Sequence, residues 1–390
     1  MRYWTRYVCV IGLCGVPWLP ARATPRVPAS DSVVLEVLPQ RFDPQLAAIA
    51  GLRTDVQRNP ADPRAALQLA RACIAIARRS GDPRFLGYAQ AVLTTLQARS
   101  GPTPEATVLE ATVLQSLHQF GPALEKLDRL LAAQPMQAQA RLTRATVLQL
   151  QGRFAEAERD CAALARSAGD VTAALCLAGI AAVTGRQQSA TLLLQHALVS
   201  MPDDDRASRL WACTLLAEIA ARAGDAGAAR HWFQAALRVD ATDRYLLAAW
   251  SDYLLSQGEA REVVRLTADA RADDNLLLRH ALALQLLPGE HTRLQESLRQ
   301  LQERYAAGAL RGDRTHLREQ ARCALQLQQD PVSALRLARE NWDVQKEPAD
   351  LAILLQSAAA ARDAVTLAQA REWMARSGLS WPALQTAVPR

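Results

Sequence analysis

Histidines are the first place to look for metal or acid–base chemistry, and this sequence has six: His118, His196, His231, His280, His291 and His316. A shared metal face on a helix needs two imidazoles three or four residues apart. No two of these are so spaced. The motifs His-Glu-x-x-His and Gly-x-Ser-x-Gly, a Gly-rich phosphate loop and a dinucleotide fingerprint are all missing from the sequence. Acid pairs such as Glu156 and Glu158 fall where a helix faces solvent. Asp203, Asp204 and Asp205 put three carboxylates in a row, but a calcium loop also needs a Gly at its sharp turn and a distal bidentate Glu. They read instead as a lengthened loop whose last Asp caps the next helix. The expectation is a non-enzyme without cofactor or metal.

Five cysteines lie beyond the N-terminal stretch, Cys73, Cys161, Cys176, Cys213 and Cys323, with no Cys-x-x-Cys among them. Small Cys side chains pack well in helical cores, so all five can serve as apolar filler. Cys161 and Cys176 fall on consecutive expected helices and are the pair best placed to bridge in an oxidising compartment.

The N-terminus points to such a compartment. Arg2 and Arg6 precede a mostly apolar run from Tyr7 to Leu19, and Ala21-Arg22-Ala23 matches a small-residue cleavage site. Residues 1–23 read as a secretory signal peptide and Thr24 as the mature start. The run is too short, and too broken by Gly12, Gly15 and Pro17, to span a bilayer. Leu13 before Cys14 argues against lipid attachment. Removing the segment takes away three arginines and no acids, lowering the formal charge from +6 to +3. No long basic block remains, so the phosphate-neutralising surface that nucleic acid requires is not expected. No other run reaches spanning length, so the mature chain is expected to carry no membrane span.

The elements that must position any site follow a repeat. Ala111-Thr112-Val113-Leu114-Gln115 returns as Ala145-Thr146-Val147-Leu148-Gln149, and 145 minus 111 gives a period of 34. Half the residues are apolar yet only 5% are aromatic, and the abundant Ala, Leu, Arg and Gln are strong helix formers. The lead-in at 24–41 is Pro-rich. Asp43 and Pro44 then mark a helix start; Leu46, Ile49, Ala50 and Val56 form its apolar stripe, and Asn59-Pro60 ends it. Residues 42–61 are thus a capping helix, and 62–390 the array.

The clearest repeat runs from Gln137 to Gly169, with Ala145, Gly152, Phe154, Ala157 and Cys161 at successive key positions. Here the chain resembles the tetratricopeptide repeat (TPR), whose small residues let two helices approach while bulky ones fill the spaces beside them. Leu164 departs from that pattern. Following the small position of the second helix gives Ala89, Ala123, Ala157, Ala190, Ala229, Val263, Leu298, Ala334 and Ala368. The expected fold is all-α: a right-handed α-solenoid of about nine TPR-like helix pairs.

Two stretches, Gly81–Ala91 and Asn341–Pro348, resemble segments of exported bacterial tetratricopeptide proteins of unassigned activity. Trp342 within the second reads as a plug between repeats. The resemblance implies a concave groove lined by first helices, which would place Gln139, Thr146 and Gln149 in it. Trp211, Thr214, Glu218 and Arg222 follow from a later repeat, then Tyr245 and Asp252. Trp211 and Tyr245 would anchor a partner and the polar residues would orient it. The expected function is a periplasmic or secreted non-enzymatic scaffold that holds another envelope protein or a peptide segment. The alternative is an envelope enzyme, or its accessory subunit, acting on cell-wall polymer or glycan; it would need two facing carboxylates.

Overall fold

The computed structural model describes residues 44–60, 62–269 and 273–380. The expected signal peptide, its cleavage near Ala23, and the lead-in at 24–41 lie outside these residues. The described residues from Gln45 onward form one compact unit. They hold nineteen helices, and a single bridge between Thr184 and Ser380 is the sole strand-like pairing among them.

The first helix, α1 (Pro44–Arg58), lays Ile49, Leu52 and Val56 on the core formed by the next helices, while Leu46 and Ala50 stay exposed. Nine helix pairs follow. The first five are α2 (Pro63–Ser80) with α3 (Arg84–Ser100), α4 (Pro104–Ser116) with α5 (Phe120–Ala133), α6 (Ala138–Leu150) with α7 (Phe154–Ser167), α8 (Asp170–Val183) with α9 (Gln187–Ser200), and α10 (Arg206–Ala223) with α11 (Ala226–Val239). The last four are α12 (Arg244–Ser256) with the short α13 (Ala260–Leu266), α14 (Asp274–Gln285) with α15 (His291–Leu310), α16 (Leu317–Gln326) with α17 (Pro331–Val344), and α18 (Pro348–Ala360) with α19 (Ala364–Ser377).

Each pair after the first turns on one residue in the left-handed backbone region. In chain order these are His118, Gly152, Gly185, Gly224, Gly258, Gly289, Gln329 and Arg362, spaced by 34, 33, 39, 34, 31, 40 and 33 residues. Five residues beyond each lies the small or apolar side chain that meets the first helix: Ala123, Ala157, Ala190, Ala229, Val263 and Ala334 are fully buried. By this ruler the position falls on Leu294 in the seventh pair, which packs on the same core as the expected Leu298, and on Leu367 in the ninth, which corrects the expected Ala368. Ala368 is exposed while Leu367 packs on the core. The ladder slipped in the ninth pair because Arg362, and not a glycine, makes its turn.

Aspartates cap many of the helix starts. Asp205, Asp225, Asp243, Asp273, Asp330 and Asp363 each accept a backbone N–H from their helix's first turn, satisfying a donor that has no intrahelical partner. Asp205 therefore has the capping role expected of it. Glu347 and Asp350 form a reciprocal capping box before and within α18.

The array coils until it touches itself. The Lys346 backbone N–H donates to the Leu150 carbonyl at 2.7 Å, and that of Ser380 to the Val183 carbonyl at 2.9 Å. Trp373 closes over Gly152, where an added Cβ would lie 2.5 Å from its ring. Near the other end, the Arg244 Nε donates to the Arg79 carbonyl at 2.7 Å while its Nη1 lies 3.3 Å from the capping carboxylate of Asp273. The first pair thus meets the sixth and seventh, the third meets the junction of the eighth and ninth, and the fourth meets the end of the ninth. Contacts recur at an offset of five to six pairs. One apolar core accordingly runs through residues from both 108–183 and 321–379. Trp342 is half-buried in it, edge-on to Trp373 at 4.8 Å with the Lys346 ammonium over its ring, in keeping with its reading as a plug.

Cys161 on α7 and Cys176 on α8 are joined by a disulfide. Cys73, Cys213 and Cys323 are free and buried. No described helix is long and apolar enough to cross a membrane.

Candidate functional site

Coiling encloses a concave cavity of about 1510 Å³. Its walls come mainly from first helices, which present one face inward because their second helices cover the other. Ten basic and nine acidic side chains line it, so it carries no dominant sign.

Asp252 on α12 is the best-held of these groups. Its Oδ2 accepts from the Arg279 Nη2 at 2.6 Å and Nε at 3.1 Å, and its Oδ1 from the Arg322 Nη1 at 2.7 Å. Burial pushes the carboxyl pKa up, but the two guanidiniums outweigh it and hold it at about 2. One turn earlier on α16, Arg318 donates to Glu319 at 3.0 Å and Glu347 at 2.8 Å, and its Nη1 lies 3.4 Å from Asp350. Glu319 is held at about 2: burial opposes, and Arg318 wins. Asp350 is fully buried and pushed up to about 6, since burial there exceeds the help of Arg318.

The wall formed by α10 is less completely paired. Glu218 accepts from the Tyr245 hydroxyl at 2.8 Å, and burial raises its carboxyl above the usual range despite nearby Arg222. Tyr245 is pushed well above the ordinary phenol value, first by the Glu218 charge and then by burial. Its side chain is nevertheless 59% exposed; it is ringed by protein, yet the cavity keeps water against it. Arg222 has its Nε buried with no hydrogen-bond acceptor. An unmatched donor in a wall calls for a water or ligand oxygen.

Of the residues expected in the groove, Gln149, Glu218, Arg222, Tyr245 and Asp252 line this cavity. Gln139, Thr146, Trp211 and Thr214 do not. Trp211 is half-buried and packs against two of the core clusters, so its indole is spent between repeats. Thr214 is buried and turns its hydroxyl back to the Leu210 carbonyl at 2.8 Å. Thr146 does the same to Leu142 at 2.9 Å, and Gln139 reaches along its own helix to Thr143 at 3.4 Å. Side chains satisfied within their own helix have no reason to point across a groove.

Sequence reasoning missed Arg279, Arg318, Glu319, Arg322 and Glu347. The left-handed turn residue finds two of them, since ten positions before Gly289 and Gln329 lie Arg279 and Glu319; the other three carry no such mark. Among the described residues, no cluster of His, Cys, Asp or Glu could hold a metal ion.

No protein-family model matches the chain, and no curated protein matches it in sequence. Solved structures do match in fold. The chain is similar to the Cut9–Hcn1 hetero-tetramer of the APC/C at 13% identity and a TM-score of 0.50, covering 86% of this chain and 59% of that one. Taken with the nine pairs and their turn register, this decides the architecture. The chain has the tetratricopeptide-repeat fold. Two further matches are a tetratricopeptide repeat protein from Parabacteroides merdae (18% identity, TM-score 0.43, 65% of this chain and 91% of that one) and a human IFIT1 dimer with m7Gppp-AAAA (12% identity, TM-score 0.48, 85% and 86%). At such identities the likeness concerns the TPR fold alone.

Proposed function

We propose that this TPR solenoid is an exported, non-enzymatic scaffold that takes a segment of a partner protein or peptide into its concave cavity. The observation that carries the reading is the α10–α12 wall, where Arg222 has a buried donor without acceptor and Tyr245 offers an exposed ring, inside a cavity of about 1510 Å³. That volume exceeds the roughly 300–1,000 Å³ of small-molecule pockets. Mixed charge suits a polypeptide better than a polyanion. An extended segment brings backbone carbonyls for Arg222 and apolar side chains for the Tyr245 ring.

Export is supported by the N-terminal sequence pattern and by the Cys161–Cys176 bridge, since disulfides persist in oxidising compartments. An envelope protein is then the natural partner. The glycan-hydrolysing alternative needs a free second carboxylate beside the raised Glu218. Asp252 has both oxygens occupied by guanidiniums, and Glu347, whose charge also reaches Glu218, accepts from Arg318 and Gln345, so the arrangement favours binding.

The test is a photo-crosslinking amino acid at position 245, compared with one at the exposed Val199, in cells producing the full chain. Position 245 should give a discrete crosslinked partner that the Glu218→Ala, Arg222→Ala variant loses without change in helical circular dichroism. Equal crosslinking from both positions, or none from 245, refutes the cavity as the binding surface. Mass spectrometry of the purified protein should find Thr24 as its first residue, and an intact N-terminus refutes export by this route.

A further inference from the structure

A second hollow, of about 560 Å³, opens between α10 and α11 and shares no lining residue with the concave cavity. It lies beside the lengthened loop at 202–205, where the array departs from its period. Arg206, Arg209 and Arg238 converge on it, against a single lining acid, Asp203. Arg209 is three-quarters buried, and its pair with Asp203 is a 3.5 Å contact to a carboxylate that stands fully in water. Such a pair is weak. Arg238 makes no ion pair among the described residues, and Arg206 is pinned through its guanidinium to the Val239 carbonyl.

Two further observations point to an anion. Arg206 and Arg209 occupy the first turn of α10, where the helix dipole disfavours cations, so their placement works against the helix itself. Arg209 and Arg238 also both act on the Cys213 thiol at the floor, opposing the upward push of burial. Their fields overlap inside the hollow. One wall is the indole of Trp232, set edge to face with His231 at 4.9 Å and anchored in two core clusters.

We propose that this hollow binds a small soluble molecule carrying a phosphate or sulfate group, with the oxyanion between Arg209 and Arg238 and its organic part against Trp232. Guanidinium forks fit such oxygens in pairs, which chloride cannot match. The hollow is thus lined by three arginines, two of them exposed and Arg209 mostly buried, with Asp203 as its one lining acid. A hollow of about 560 Å³ with only three converging arginines suits a compact anion better than a long polyanion or an anionic membrane surface. The proposal is independent of what occupies the concave cavity.

Calorimetric titration of the full chain at constant ionic strength tests it, with phenyl phosphate, phenyl sulfate, inorganic phosphate and chloride as probes. Phenyl phosphate or phenyl sulfate should bind saturably at one site, and at least about tenfold more tightly than inorganic phosphate through the indole contact. Arg209→Gln, Arg238→Gln should weaken binding by at least about tenfold, as expected on losing charge-assisted hydrogen bonds. Arg129→Gln, on an exposed helix face, should change nothing. The two aryl esters separate a phosphate-bearing from a sulfate-bearing natural ligand. Binding no stronger than chloride, binding unaffected by the double variant, or a many-residue sulfated polysaccharide outcompeting phenyl phosphate each overturns the proposal. Should the double variant misfold, Trp232→Phe, with the preference for aryl over inorganic phosphate as readout, decides the matter.

Discussion

Replacing Gly152 by Ala probes the closure of the array at a single carbon atom. Gly152 has a φ of +71°, so any side chain there costs about 1–2 kcal/mol in backbone strain. Its new Cβ would also lie 2.5 Å from Trp373 Cζ2 and 3.2 Å from Cη2. Trp373 cannot swing away freely because Trp342 holds it edge-on, and overpacking of this kind adds about 1–3 kcal/mol. Gly258 is the internal control: its φ is +76°, but nothing lies within 4 Å of its would-be Cβ. Gly258→Ala should therefore show only the strain, and the excess at Gly152 measures the contact across the coil. Denaturant unfolding gives the totals, and hydrogen exchange in α18 and α19 gives the local loss, which matters because arrays can open in parts. In a Trp373→Ala background the excess should vanish. Equal costs for Gly152→Ala and Gly258→Ala, or an excess that survives without Trp373, would refute the closed arrangement.

Reducing the Cys161–Cys176 bridge, or replacing both residues by Ser, should lower stability by about 3 kcal/mol, as expected for a cross-link spanning 15 residues; the denaturant midpoint with and without reductant reads it. Acid titration should reveal two limbs of opposite sign. Asp252 has a folded pKa of about 2 against 3.8, so its contribution is present above pH 3.8 and lost as pH falls through 2. Asp350 has a folded pKa of about 6 against 3.8, so its contribution is full below 3.8 and lost as pH rises through 6. Asp350→Asn should remove the second limb, and Asp252→Asn part of the first, with Glu319 keeping the rest. An unchanged unfolding midpoint-versus-pH curve in either variant counts against that assignment.

Legibility in the sequence followed the physics that acts locally. The period of 34, the cap at Asp205 and the small Ala positions depend on neighbours within one or two helices, and Ala123, Ala157 and Ala229 are where the pattern put them. The register slipped in the last pair, where Arg362 adopts the backbone shape that glycine usually marks, although Ala123 and Ala334 held behind the equally non-glycine His118 and Gln329. Residues that pair across the cavity, such as Asp252 with Arg322 seventy positions away, leave no local trace. Trp211 shows the same limit from the other side. Its residue type fits groove and core equally, and only its packing against two core clusters decides.

The recurrence of contacts every five to six pairs has a consequence for how such a chain can change over evolutionary time. Open solenoids lengthen by duplicating a unit, because each unit meets only its neighbours. Here a unit inserted between the third and eighth pairs would carry Lys346 away from Leu150 and Trp373 away from Gly152. The array behaves less like a string of beads than like a hoop with a fixed circumference. Its units can drift in sequence one by one, but the number lying between two touching pairs is locked.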